Sequence, residues 1–365
     1  MSNILGNLIT LTVFGESHGP CIGGVLDGLP AGLAVDESYI AHYMEQRKAV
    51  SALSTPRREA DVPQFVSGVR NGRSEGTPLT FMIPNTGTRS SDYDALAGIA
   101  RPGHADYTAQ AKYNGYQDAR GGGHFSGRLT AVYVAAGSVL RKALEDRGIL
   151  IGSHICDLCG IKDMAADQDD LSAEIRRLND MDFAVLDSEA AEKMKDRILR
   201  AREDRDSVGG VLETFITGLE PGVGEPLFGS IESEISRAVF SVGGVKGIEF
   251  GSGFDMAHMT GSEANDSFAI RDGRVITLTN HNGGINGGIS NGMPVIFRTV
   301  IKPTPSIGKA QKTVNFITEE EKEIEIGGRH DPAIIHRARV VIDSLAALVI
   351  ADQLCMRHGR EWLIR

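Results

Sequence analysis

Between Arg101 and Thr130 the chain reads RPGHADYTAQAKYNGYQDARGGGHFSGRLT, and no other stretch limits the choice of fold so strongly. Two histidines, His104 and His124, and three arginines, Arg101, Arg120 and Arg128, surround the triple glycine Gly121 to Gly123. Packing alone does not call for so much guanidinium, imidazole and bare backbone. A helical pattern follows: Leu129, Val132, Ala136, Val139 and Ala143 recur at three and four, and Leu140 and Leu144 widen the apolar stripe. Ala135, Ala136 and Gly137 leave room for another element to approach that helix closely. Ser126 is placed to cap it. Amides beyond the glycines and at the helix start then converge on one spot, which suits a phosphorylated, anionic ligand. Arg128 stands in the first turn against the dipole preference, a placement that points to a ligand.

Glycine supplies 44 of the 365 residues, a share of about 12% against the ordinary ~7%. These glycines lie in clusters without a period, so collagen is excluded and tight turns beside a ligand are expected. A net charge of -10 argues against bulk binding to nucleic acid or acidic membranes, while leaving room for a local basic cleft. Residues 1–14 read as a strand without a basic leader, and no apolar run approaches the ~18 residues of a membrane span. Four cysteines make no disulfide framework. The lone CxxC of Cys156 and Cys159 reads as ordinary thiols in a reducing, cytoplasmic setting. No Pro/Ser/Gly linker interrupts the chain, so residues 1–365 are expected to form one domain.

Strands are expected at 7–14, 21–27, 62–69, 79–83, 149–156, 208–217, 245–251, 275–279 and 293–301. Helices are expected at 36–50, 129–144, 171–179, 188–205, 230–241 and 343–358. The first strand runs into Gly15, Glu16, Ser17, His18, Gly19 and Pro20, where a strand end can aim His18. Arg47, Arg57 and Arg58 are candidates for one cationic cluster. NTGTRSSDYDAL, from Asn85, is a polar loop with donors for a phosphate or a flavin edge. The carboxylates of 163–187 lack a histidine or cysteine partner in sequence and calcium-loop spacing, so no metal site is expected there. Asn280 to Gly292, NHNGGINGGISNG, is a loop of the phosphate-cradling kind without the GxGxxG or GKS/T form. Lys302, Thr304 and Ser306 offer a cation and hydroxyls past a strand end, and Asp331 stands in GGRHDPAI as a ready base or acceptor. The order is not a steady βα alternation and lacks the Rossmann fingerprint. An α+β layered sandwich with antiparallel sheets around helices fits better, and the similar texture of the two halves suggests an internal pseudo-repeat.

Four separated motifs resemble one family, the chorismate synthases: GESHG at 15–19, RPGHAD at 101–106, RGGG with SGR at 120–128, and GRHDP at 328–332. TPRREAD at 55–61, NHNGGINGGISNG and KPTPSI at 302–307 are similar to further family segments, in the expected order over almost the whole chain. The resemblance implies a 1,4-anti elimination of phosphate from 5-enolpyruvylshikimate 3-phosphate to give chorismate, with reduced FMN as a cofactor that is not consumed. It carries catalytic roles to His18, His104 and Asp331. Ser17, Arg47, Arg57 and Arg337 are implied for substrate. Ser126, Arg128, Asn282, Gly284, Gly288, Lys302, Thr304, Ser306 and Arg329 are implied for the cofactor. The family's tetramers imply a homotetramer, and some members reduce their flavin with NADPH. Without a dinucleotide fingerprint, an external reductase or reduced-flavin source is expected here. The segment after the triple glycine departs from the family's common Arg-Ser-Ser-Ala-Arg-Glu-Thr, reading His124, Phe125, Ser126, Gly127, Arg128, Leu129, Thr130. A flavin- or phosphometabolite-binding protein of the same fold without lyase activity is the alternative.

Overall fold

The computed structural model describes residues 3–48, 53–54, 60–86, 98–167, 170–327 and 331–365. Strands β1 (Ile4–Leu5), β2 (Thr10–Gly15), β3 (Cys21–Asp27), β4 (Gln64–Ser67) and β7 (Leu79–Pro84) form one sheet in the order β1-β2-β3-β7-β4. A hairpin of β5 (Val69–Arg70) and β6 (Arg73–Ser74) precedes β7. Strands β8 (Leu150–Leu158), β9 (Ile161–Lys162), β10 (Gly210–Thr217), β11 (Val245–Phe250) and β16 (Val295–Ile301) form the second, in the order β11-β16-β10-β8-β9. All pairings in both sheets are antiparallel. Three hairpins complete the strands: β12 (Phe268–Arg271) with β13 (Arg274–Thr277), β14 (Ile285–Asn286) with β15 (Ile289–Ser290), and β17 (Gln311–Asn315) with β18 (Glu320–Ile324).

The α-helices among the described residues are α1 (Glu37–Arg47), α2 (Asp106–Tyr113), α3 (Thr130–Glu145), α4 (Leu171–Asn179), α5 (Ser188–Glu203), α6 (Ile231–Val239), the single turn α7 (Gly261–Ala264) and α8 (Ile335–His358). α3 lies on β3, α8 lies on β8 and β10, and the two helices pack on each other between the sheets. Gly137 makes this approach feasible: a Cβ there would stand 2.5 Å from the Ser344 Cβ. One apolar core runs from Ile9 and Ile22 through Val132 and Leu140 to Leu345, Ile350 and Phe297. The α+β sandwich is therefore as expected, and the texture shared by the halves has a topological basis. β2-β3-α1-β4-β7-α3 and β8-β10-α6-β11-β16-α8 trace the same path, with sheet orders β2-β3-β7-β4 and β8-β10-β16-β11. In both, the third strand is irregular against the fourth, between Phe65 and Ser67 and between Val245 and Gly247. α4 and α5 are an insertion after β8.

Three sequence expectations change. α8 starts at Ile335, not Asp343, because His336, Arg337 and Arg339 find polar partners instead of breaking the helix. Burial and the charges of Arg337 and Arg339 push the His336 imidazole down to about 3, so it is neutral where it meets Ser54 Oγ at 2.7 Å. Asp163 does have a histidine partner: His154 Nδ1 lies 2.7 Å away, with Glu213 at 3.1 Å from its other ring nitrogen. β8 and β10 bring those groups together, which a linear reading of 163–187 does not reveal. Finally, 62–69 contracts to the edge strand β4, since Val66 and its neighbours face solvent beside the irregularity.

Among the described residues, Cys21, Cys156, Cys159 and Cys355 are free thiols. Burial pushes Cys156 up to about 12, and its Sγ donates to the Val211 carbonyl at 3.4 Å, as an inert structural thiol would. No described helix is long and apolar enough to cross a membrane.

Candidate active site

The described parts of the two long crossings from sheet to central helix, 98–129 and 302–327, meet beyond the end of β16. Ile99 bridges to Asn315, Lys302 Nζ donates to the Gly103 carbonyl at 2.7 Å, and His104 Nε2 lies 2.7 Å from Ser306 Oγ. Ser207 Oγ donates to the Thr304 carbonyl and the Val208 amide to the Pro332 carbonyl, joining this corner to Asp331. The pseudo-repeat thus explains why residues 200 apart in sequence share one rim: equivalent crossings emerge at equivalent strand ends.

The other histidine rides on the turn after β2. The Ser17 amide donates to the Gly123 carbonyl at 3.1 Å, fixing this turn to the triple glycine. Ser17 Oγ donates toward the Gly121 carbonyl at 3.0 Å and lies 3.1 Å from His18 Nδ1. A hydroxyl has one proton, so the oxygen facing Nδ1 accepts, and Nδ1 carries hydrogen. Nε2 is then the atom of His18 through which acid or base chemistry would run. The glycines are required: Gly121, Gly122 and Gly123 have φ of 61°, 84° and 52°, and a Cβ on Gly121 would sit 2.1 Å from His18 Cε1. Ser126 does act as a cap, accepting from the Arg128 amide at 3.3 Å, but it caps the short turn Gly127–Leu129 that leads into α3. His124 Nδ1 donates to the Gly15 carbonyl at 2.9 Å, bracing the strand end from which His18 projects.

A hydrogen-bonded path links Asp331 to that turn. Arg337 Nη1 donates to Asp331 Oδ2 at 2.8 Å, and its Nε donates to the Arg47 carbonyl at 3.0 Å. Arg47 Nη2 reaches Asp61 Oδ2 at 2.5 Å, and Arg128 Nη1 reaches Asp61 Oδ1. Arg128 Nε donates to Asn85 Oδ1, and Asn85 Nδ2 donates to the carbonyls of Glu16 and Gly19 on either side of His18. Burial alone would raise the Asp61 carboxyl, but the two guanidiniums overcome this and hold it below its ordinary range. Arg128 thus meets a carboxylate at the place its sequence position gave to a ligand residue, and Arg47 clusters with Arg128 and Arg337. Arg57, Arg58 and Arg329 lie outside the described residues.

Asp61 is the member of this path whose importance the sequence did not single out. The available signal was weak: Asp61 closes TPRREAD, a run rich in arginine.

Asn282, Gly284 and Gly288 are not brought into this group. Asn280 Nδ2 donates to the Pro294 carbonyl, and the Ile296 amide to the Gly283 carbonyl, so the loop sits at the start of β16. Lys302 follows its end, about 20 Å away along an extended strand. The loop's tight approaches are to its own chain: Cβ atoms on Gly284 and Gly288 would lie 2.4 and 2.6 Å from the carbonyls of Pro294 and Glu225. Asp266 orders it, accepting from Thr279 Oγ1, the amides of His281 and Asn282, and Asn282 Nδ2. Burial would raise the Asp266 carboxyl, and these donors outweigh it, so the folded value is depressed. A depressed carboxylate stabilises above its unfolded pKa of ~3.9, and the contribution is lost as pH falls through the folded value. The difference in thermal midpoint between wild type and Asp266→Ala should therefore be constant above about pH 5 and shrink on further acidification.

Residues 9–355 match the family model described as chorismate synthase. Chorismate synthase of Methanosarcina mazei is 42% identical over 358 residues, covering 98% of this chain and 97% of the relative. That of Lachnoclostridium phytofermentans is 44% identical over 351 residues, covering 96% and 94%. The chain belongs to the chorismate synthase family. A crystal structure of chorismate synthase superimposes with a TM-score of 0.75 at 28% identity, over 97% of this chain and 94% of that one. Family membership makes the protein a carbon–oxygen lyase acting on a phosphate ester, and carries with it a general dependence on FMN.

The residues beside His104 fit a flavin phosphate. Burial and the positive charge of Lys246 lower the Lys302 pKa. Thr304 Oγ1 is buried and has no hydrogen-bond partner among the described residues. A buried hydroxyl in that state next to a cation is suited to an anionic oxygen.

Proposed function

We propose that His18, His104 and Asp331 carry the elimination of phosphate from 5-enolpyruvylshikimate 3-phosphate, with Arg47 and Arg337 on the substrate's anionic groups. The observation behind this reading is the continuous path from Asp331 through Arg337, Arg47, Asp61, Arg128 and Asn85 to the turn bearing His18. It supports reading a base, an acid and guanidiniums as one site. In the reaction a C–H bond at C6 and the C–O bond to phosphate break, and the ring gains a double bond. His18, with hydrogen on Nδ1 held by Ser17, delivers its Nε2 proton to the departing phosphate. Arg47 and Arg337 stabilise the charge that develops there. Asp331, oriented by Arg337, is the acceptor in the path that takes the C6 proton. Reduced FMN held beside these groups would supply electron density for breaking the C–O bond, with no net redox change overall.

Lys302, Thr304 and Ser306, with Ser126 and Arg128, are the groups proposed to hold the cofactor, and His104 acts toward it from its contact with Ser306. The whole chain acts as one domain, fed by an external reductase or another source of reduced flavin. Assembly into a homotetramer is supported by apolar side chains exposed on and beside the β12–β13 hairpin, Phe254, Phe268, Ile270, Val275 and Leu278.

The test is anaerobic: purified protein, substrate and chemically reduced FMN, with phosphate and chorismate followed together. Equal release of both, absent with oxidised FMN, is the expected result. Binding of substrate and FMN without release of phosphate would favour a binding protein of this fold instead.

A further inference from the structure

Asp61 stands at the middle of the path described above, with both of its carboxylate oxygens taken by guanidiniums. Its side chain is 2% exposed, and those of Arg47 and Arg128 are 7% and 6% exposed. Each oxygen takes one guanidinium, Oδ2 that of Arg47 and Oδ1 that of Arg128. Because the carboxylate is planar and rigid, this arrangement fixes the two contacting guanidinium nitrogens relative to each other. The remaining contacts reinforce it. Arg47 Nη1 donates to Thr130 Oγ1 at 3.2 Å, and Arg128 is held from behind by Asn85 Oδ1 and the Pro84 carbonyl. Arg47 Nε is buried with no hydrogen-bond partner among the described residues, a donor still to be satisfied. The left-handed φ of 48° at Asp61 is sparsely populated for a residue with a side chain, and asparagine and aspartate tolerate it best. The backbone conformation is thus compatible with Asn at this position.

From these contacts we infer that Asp61 is a positioning residue for the elimination: it holds the substrate arm, Arg47, and the cofactor arm, Arg128, in the mutual geometry that turnover requires. The inference rests on the lyase reading of the site. It has a consequence in sign that separates it from simple electrostatics. Asp61 subtracts one unit of positive charge from a site built for anions. If it acted only through charge, neutralising it would tighten anion binding and leave turnover alone. If it acts through orientation, neutralising it leaves the ground-state attraction in place and removes alignment that matters in the transition state, so the loss falls on kcat.

The experiment uses the full-length protein under anaerobic conditions with chemically reduced FMN and 5-enolpyruvylshikimate 3-phosphate, comparing wild type with Asp61→Asn. Turnover by wild type tests the lyase reading separately, and an inactive wild type overturns both. With an active wild type, kcat of Asp61→Asn is expected to fall by about tenfold or more, with KM unchanged or lower. A kcat within about twofold of wild type, or a loss confined to KM, overturns the proposal. If circular dichroism shows that Asp61→Asn does not fold, Arg47→Lys, Arg128→Lys and their double variant decide the matter. Lysine keeps the charge and loses the fork. Arms oriented through one shared carboxylate should give a double variant little worse than the poorer single one, whereas losses in kcat that multiply would overturn the inference.

Discussion

Replacing Gly121 by alanine should remove most turnover while the protein remains folded. The added Cβ would lie 2.1 Å from His18 Cε1, 2.2 Å from His18 Nδ1 and 2.7 Å from Ser17 Oγ. Those atoms cannot all stay, so the imidazole and the hydroxyl that fixes its tautomer must move. Displacement of a reacting group by about 1 Å costs on the order of 100-fold in rate. The stability cost is smaller, since alanine in a left-handed conformation loses only about 1–2 kcal/mol. Gly121 is also half-buried in a loop, away from the main core. Steady-state kcat beside a thermal melt separates the two effects. Full activity in a folded Gly121→Ala protein would show that His18 does not work from the position seen here.

Substitution of His18 itself by alanine should lower kcat by about 10²- to 10⁴-fold, the usual contribution of a general acid. Arg47 and Arg337 remain in that variant, so substrate binding should persist and KM should change little. Ser17→Ala should cost less than His18→Ala, because it removes the hydroxyl contact at Nδ1 without removing the acid. Anaerobic phosphate release across pH measures both. If His18→Ala kept more than about a tenth of wild-type kcat, the acid would have to be sought elsewhere, with His104 the first alternative.

The first strand, the Ser17–His18 turn after it, the triple glycine and the apolar stripe of α3 are local patterns, set by residues close in sequence. They were therefore legible in the chain itself, as were the α+β class and the family's motifs. The beginning of α8 was not. His336, Arg337 and Arg339 read as polar interruptions until Ser54, Asp331 and Gln46 arrive from elsewhere to partner them. Nor was the placement of the Asn280–Gly292 loop. Its composition resembles a phosphate cradle, yet its glycines answer to close contacts with Pro294 and Glu225 at the far end of β16.

What the sequence determined by itself is the set of reactive groups and the turns able to present them, because rotamer, φ and helix preferences act over a few residues. Which groups meet was decided by the tertiary structure. Asp61 joins Arg47 to Arg128, and His104 meets Ser306, across separations of 14, 67 and 202 residues. Such pairings depend on sheet order and on two repeated crossings that emerge at matching strand ends. Burial then gives them their weight, since a carboxylate between two guanidiniums is strongly held only where water is excluded.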